Sequence, residues 1–171
     1  MGPWVRSVVE ILNQPGARQP VHVEMPLDGA VVVASEVPPG TSVRLDGVLE
    51  WAVEGVLATG TVAAPWRGEC RRCLTPVGGV VEAPVQELFE RRPVEGETYP
   101  LAGDEVDLGP MVREAVLLAL PLAPLCREEC LGICPTCGAD RNEGMCACVP
   151  DERDPRWAAL DILRGEGEGA S

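Results

Sequence analysis

The sequence predicts an α+β fold: a Val-rich antiparallel sheet, able to curl toward a barrel, with a buried helix and a small Cys-rich module at the C-terminus. Three observations predict it. Segments between residues 21 and 89 alternate apolar and polar residues, as half-buried strands do. Residues 111–120 are apolar almost all round, as in a helix covered on most sides. Eight cysteines stand in four close pairs, a density that belongs to metal or redox chemistry rather than to ordinary packing.

The elements follow in order. Trp4 to Leu12 has apolar residues at 4, 5, 8, 9, 11 and 12 and reads as a short helix closed by Asn13-Gln14-Pro15-Gly16. Val21 to Met25 alternates and reads as a strand, with another over Ala30 to Ala34. Pro38-Pro39-Gly40 marks a turn. Over Ser42 to Val53, Val43, Leu45, Gly47, Leu49 and Trp51 share one parity, which leaves Asp46, Glu50 and Glu54 on the solvent side. Gly55 to Ala63 pairs with it as a meander. Trp66 to Cys70 and Val77 to Phe89 read as strands flanking the Cys-Arg-Arg-Cys turn. Residues 91–107 are polar, acidic and Pro/Gly-containing, and read as a loop or a mobile insertion.

A helix then covers Met111 to Leu120, with Gly109 able to cap it, Pro110 at its first position and Pro121 ending it. Glu114 on this apolar helix calls for a partner, either Arg113 of the same turn or a distant arginine. Near the end, Asp154 and Pro155 open a short helix whose Trp157, Leu160 and Leu163 form a docking stripe. The organisation expected is a body over 1–125, a Cys-rich module with its docking helix over 126–164, and a flexible tail over 165–171.

Length and composition narrow the class. A chain of 171 residues suffices for one packed domain and a small module. At 46% apolar it is not a disordered chain, and at 4% aromatic its core is mostly Val, Leu and Ala. The opening residues lack the continuous apolar stretch of a secretion signal. The most apolar run, Ala115 to Leu125, has eleven residues and two prolines, too short and broken to span a bilayer. A soluble, cytoplasmic protein is expected, and in that compartment clustered cysteines bind metal or do redox work more often than they form structural disulfides.

Net charge is −13, and all fourteen basic residues are arginine. A protein that grips nucleic acid by its phosphates usually presents a basic surface. The acidity therefore favours a protein partner, and a basic one. The loop 95–107 is either a solvated face or a landing site for it. Arg67, Arg71 and Arg72 cluster near the first cysteine pair. They either compensate thiolate charge or contact RNA or a partner. His22, the single histidine, reads as an ordinary strand residue.

The cysteine pairs are Cys70/Cys73, Cys126/Cys130, Cys134/Cys137 and Cys146/Cys148. A C-x2-C turn aims both sulfurs at one point, and zinc takes four such ligands in a tetrahedron. Gly138 can take the positive φ that lets the chain curl round the metal, and Asn142 and Gly144 suit a tight return. The simplest partition places Cys134, Cys137, Cys146 and Cys148 at one site, and Cys70, Cys73, Cys126 and Cys130 at a second. Spacing alone also permits Cys130 and Cys134 to swap, or one zinc with spare thiols. All-cysteine ligation fills the tetrahedron and leaves no open position for catalysis. An iron–sulfur cluster lacks its usual cysteine run here. A redox role for Cys70-Arg71-Arg72-Cys73 lacks the thioredoxin-like context.

The ordered motifs carry a resemblance. Asp107-Leu108 with Val112 and Glu114, Leu118-Ala119-Leu120-Pro121, the run Cys126 to Gly138, Cys146-Ala147-Cys148 and Asp154-Pro155-Arg156 occur in the order typical of one family. Upstream, Cys70-Arg71-Arg72-Cys73-Leu74 matches its earlier turn, and Val8 to Ala17 is similar to its short N-terminal helix. The chain resembles the YceD family, the large ribosomal RNA subunit accumulation proteins. It departs mildly, with Trp157 and Ile133 where an aliphatic and a leucine are common. The resemblance implies a bacterial or organellar protein needed for accumulation of large-subunit ribosomal RNA, without a known catalytic reaction. The expectation is a non-enzymatic ribosome assembly factor with one or two structural zinc ions. Its partner would be a basic ribosomal protein or a large-subunit precursor particle. The rival readings are a direct RNA binder and a thiol redox sensor.

Overall fold

The computed structural model describes residues 2–52, 55–144, 146–148 and 156. In chain order the elements are β1 (Val5–Ser7), β2 (Arg18–Pro26), β3 (Ser35–Glu36), β4 (Ser42–Ala52), β5 (Gly55–Glu69), β6 (Pro76–Glu90), β7 (Tyr99–Ala102), β8 (Glu105–Asp107) and α1 (Gly109–Ala119). The strands form one sheet in the order β1-β8-β7-β6-β5-β4-β2, with β3 beside β5. The sheet curls into a half-barrel, and α1 packs on β6 and β5.

The meander β2-β4-β5-β6 is antiparallel throughout. Its alternation produces the core: Val43, Leu45, Leu49 and Trp51 of β4 are all buried, with Val21 and Val23 of β2 beside them. Gly47 and Gly60 face each other across β4 and β5, and a Cβ on either would lie 2.4 Å from a carbonyl oxygen of the facing strand. No side chain fits that approach, so glycine stands on both strands. β5 and β6 are each fifteen residues long. The expected Trp66–Cys70 strand is the far half of β5. Pro65 falls between the part of β5 that β4 covers and the part that β3 covers, where a missing N–H breaks no ladder on that side.

Four expectations are corrected. The N-terminal helix is absent: Val5–Ser7 pairs with β8, and one turn follows in which Ile11 N and Leu12 N donate to Val8 O. Trp4, Val8 and Ile11 are nonetheless buried, so their helix-like spacing is met by a strand and a turn. The loop 91–107 contains a hairpin, β7–β8, which buries Leu101 and Val106. The sheet is not wholly antiparallel, because β7 runs parallel to β6 at Phe89 and Tyr99. A parallel neighbour needs a longer connection than a hairpin turn, and residues 91–98 supply it. The expected strand over 30–34 is a tight turn: Val32 N donates to Ser35 O and Val37 N to Ala30 O.

α1 begins one residue earlier than expected, capped at Leu108, with Asp107 Oδ1 accepting from Gly109 N at 3.0 Å. Met111, Val112 and Val116 face the core, but Leu118 is 82% exposed, so the helix is covered on one face rather than on most sides. Glu114 does not pair with Arg113; it accepts from Tyr99 Oη at 2.6 Å, while Arg113 donates to Asp28 O. No helix among the described residues is long and apolar enough to cross a membrane. The C-terminal helix, with Trp157, Leu160 and Leu163, and the tail lie outside the described residues, as does Glu54.

Two candidate metal centres at the hairpin tip

The β5–β6 hairpin carries the first cysteine pair at its tip. Glu69 and Pro76 close the ladder, Cys70 N donates to Thr75 O, and Leu74 N donates to Cys70 O. Leu74 takes a positive φ of 63° to complete this turn. The C-x2-C pair therefore crowns a β-hairpin and opens no helix, which removes the helix-dipole activation of a redox dithiol. The chain leaving α1 then returns to this tip: Ser35 Oγ donates to Pro121 O at 2.8 Å, and Arg71 N donates to Pro124 O at 2.8 Å. Those bonds deliver Cys126 and Cys130 to the hairpin.

The eight sulfurs gather into two quartets, Cys70, Cys73, Cys126 and Cys130, and Cys134, Cys137, Cys146 and Cys148, with the ligand atoms of each quartet within 4.8 Å of one another. Cys70 and Cys130 Sγ lie 3.8 Å apart, and Cys73 and Cys126 Sγ 3.6 Å. A tetrahedron with arms of about 2.3 Å has edges of about 3.8 Å. A disulfide would need about 2.05 Å. The donor set is four soft sulfurs at tetrahedral spacing, which fits a closed zinc site. Cys70, Cys130 and Cys134 are buried, while Cys126 and Cys137 are exposed.

Electrostatics within each quartet are uneven. Burial pushes the Cys70 thiol up, but backbone N–H groups of Cys73, Cys126 and Arg72 outweigh it and bring it down to about 6. Backbone N–H groups of Cys137 and Thr136 bring Cys134 to about 6. The Thr75 hydroxyl and N–H hold Cys73 below its ordinary value. Desolvation and the neighbouring thiols push Cys126 up to about 12, and hydrogen bonding with Cys137 does the same for Cys148. Some sulfurs in each quartet thus shed protons readily and others resist, because four thiolates cannot crowd together without a cation among them. A bound dication reverses that resistance.

Arg72 joins the quartets. Its Nη1 donates to Glu128 O at 3.0 Å and Cys130 O at 2.9 Å, and its own carbonyl accepts from Ile133 N at 3.0 Å. Gly132 packs against that carbonyl with φ +72°, and a Cβ there would lie 2.8 Å from Arg72 O. Gly138 takes the expected positive φ, 74°. Arg67 lies further down β5, ion-paired with Glu36 at 2.6 Å. Arg71 is exposed, and among the described residues no hydrogen bond or ion pair engages its guanidinium. The three arginines share one end of the molecule but do not form one patch of free charge. His22 and Asp46 are cross-strand neighbours and bonded through Nδ1 and Oδ1, with Arg44 Nε 2.8 Å from the same carboxylate. Sequence spacing hid that partner because it comes from strand register. Sequence reasoning also missed Thr75 and Ser35, for which no motif exists.

Comparison with known proteins adds the family. The family described as large ribosomal RNA subunit accumulation protein YceD matches residues 58–164. The chain belongs to the YceD family. It is 37% identical to an uncharacterized protein of Mycobacterium tuberculosis over 96% of this chain and 86% of that one. An uncharacterized protein of Mycobacterium leprae is 36% identical over 72% of this chain and 60% of its own. A chloroplastic large ribosomal RNA subunit accumulation protein YCED homolog 1 of Arabidopsis thaliana is 32% identical over 39% of this chain and 21% of its own. No solved structure matches. The family is described by the accumulation of an RNA, not by a reaction, in keeping with a non-enzymatic protein.

Proposed function

We propose that this YceD-family protein is a cytoplasmic, non-enzymatic factor that supports accumulation of large-subunit ribosomal RNA and ribosome assembly. Two structural zinc ions hold its hairpin tip. The observation that carries this reading is the pair of four-cysteine clusters at tetrahedral spacing in a chain of this family. Zinc would be held by Cys70, Cys73, Cys126 and Cys130, and by Cys134, Cys137, Cys146 and Cys148, and would supply cross-linking rather than chemistry. The partner is a basic ribosomal protein or a large-subunit precursor particle.

Three observations support a protein contact over direct RNA binding. Net charge is −13, and with both zinc sites filled it deepens to about −17. Arg67 is paired and Arg72 is spent on backbone carbonyls. Arg67 and Arg71 border a groove of about 570 Å³ whose lining includes Val31, Val33, Leu74, Glu36 and Glu69, a mixture suited to a protein surface. Elsewhere Glu87, Glu97 and Glu114 line a recess of about 230 Å³ beside Tyr99, where a basic side chain would be attracted.

The test is a pull-down of the tagged protein from its native lysate at low and high salt, reading both proteins and RNA. Recovery of large-subunit precursor RNA together with a large-subunit protein supports the proposal. RNA retained after the proteins are stripped, with a steep salt dependence, would instead make the protein a direct RNA binder. Recovery of neither contradicts an assembly role.

A further inference from the structure

The two quartets are joined by a side chain that belongs to the loop of one and touches a sulfur of the other. Asn142 lies between Cys137 and Cys146, so closing the second quartet fixes its position. Its Nδ2 donates to Cys130 Sγ of the first quartet at 3.5 Å. Its Oδ1 accepts from Leu131 N at 2.8 Å and from Arg127 Nη2 at 2.7 Å, on either side of Cys130. Asp140 Oδ1 accepts from Asn142 N at 2.8 Å and from Nδ2 at 2.6 Å, which holds the amide in that orientation. Because Leu131 N–H needs an acceptor, the oxygen faces Leu131 and the NH2 group faces the sulfur.

We propose that the two cysteine quartets take metal as a coupled pair, with Asn142 as the positioning residue that carries the coupling. This rests on the reading that the quartets hold zinc. The second quartet closes within residues 134–148, whereas the first joins Cys70 to Cys130, sixty residues apart. Short loops close at lower entropic cost. The second site therefore fills first and presents Asn142 to the first. Four thiolates on a dication leave net negative charge, and an N–H donor to one sulfur disperses part of it. Loss of such a donor around a metal site typically lowers affinity about 10–100-fold. By linkage the effect is reciprocal: a filled first site tightens the second by the same factor. The Arg72 contacts to Cys130 O and Ile133 N hold the two halves in register while this happens.

The test is a cobalt(II) titration of the full chain, stripped of metal and kept reduced, with chelator competition. Cys137→Ser disables the second site and Cys126→Ser the first. Each is expected to weaken cobalt binding at the intact site by about tenfold or more, and by the same factor. Asn142→Asp keeps an acceptor for Leu131 and removes the donor to Cys130, and Asn142→Ala removes it without adding charge. Both are expected to weaken the first site in the otherwise intact chain and to shift its thiolate-to-cobalt band to lower energy. Neither should have a further effect in the Cys137→Ser background. Intact-site affinities unchanged within about twofold would overturn the coupling while leaving two metal sites standing. No cobalt binding by the wild-type chain would remove the zinc reading itself.

Discussion

Gly132 sits between the two quartets in sequence, buried, with positive φ and no room for a Cβ against Arg72 O. Gly132→Ala is expected to cost roughly 1–3 kcal/mol in a denaturant titration of the metal-loaded chain; an unchanged midpoint would show that the two halves do not pack this way. The thiols give a second prediction, for the metal-free chain. Cys70 and Cys134 titrate near 6 when folded against an ordinary 9.0. Their contribution to stability is full above pH 9 and is lost as pH falls to about 6. Cys126 and Cys148, raised to about 12, contribute below pH 9 and lose that as pH rises toward 12. The thiol contribution therefore peaks near pH 9, and the denaturation midpoint under reductant should pass through a maximum there. A midpoint that climbs steadily from about pH 6 to about pH 11 would contradict it. At this scale the grouping of the cysteines into two quartets was legible, because C-x2-C, C-x3-C and C-x-C are local patterns. The bonds from Asn142 to Cys130, Leu131 and Arg127 and from Ile133 to the Arg72 carbonyl were not, because those partners arrive from elsewhere in the chain.

At the scale of elements, the central strands were legible for the same reason that they fold. Val43, Leu45, Leu49 and Trp51 alternate, and the alternation sets which face is buried. The short strands were not legible. β1 and β8 have three residues each; β1 is defined by its pairing with β8, and β8 by its pairing with β1 and β7, rather than by a pattern of its own. Helix-like spacing at Trp4, Val8 and Ile11 was real burial reached by another backbone. α1 shows a limit of composition: its apolar residues point both ways. Met111→Ala should cost about 2–5 kcal/mol, since Met111 is 1% exposed. Leu118→Ala should stay within about 0.5 kcal/mol, since Leu118 is 82% exposed. Comparable losses from both would place a covering element over the outer face of the helix.

For the whole molecule, charge and family speak to partners, and the two clusters speak to shape. Reversing charge at the acidic recess, as Glu87→Arg with Glu97→Arg, is expected to reduce recovery of a basic partner at low salt with metal content unchanged. Unchanged recovery would move the contact elsewhere, with the groove beside Arg71 as the next surface to alter. The order of motifs carried the family, but the fold that delivers two distant halves to one hairpin tip depends on bonds such as Ser35 to Pro121 O, which no local pattern announces. The most direct measurement is native mass spectrometry of the reduced full chain with metal analysis. Two zinc ions per chain, falling to one in either Cys126→Ser or Cys137→Ser, is the predicted result. No bound metal, or a count that neither substitution lowers, would contradict the reading of the eight cysteines as two closed zinc centres.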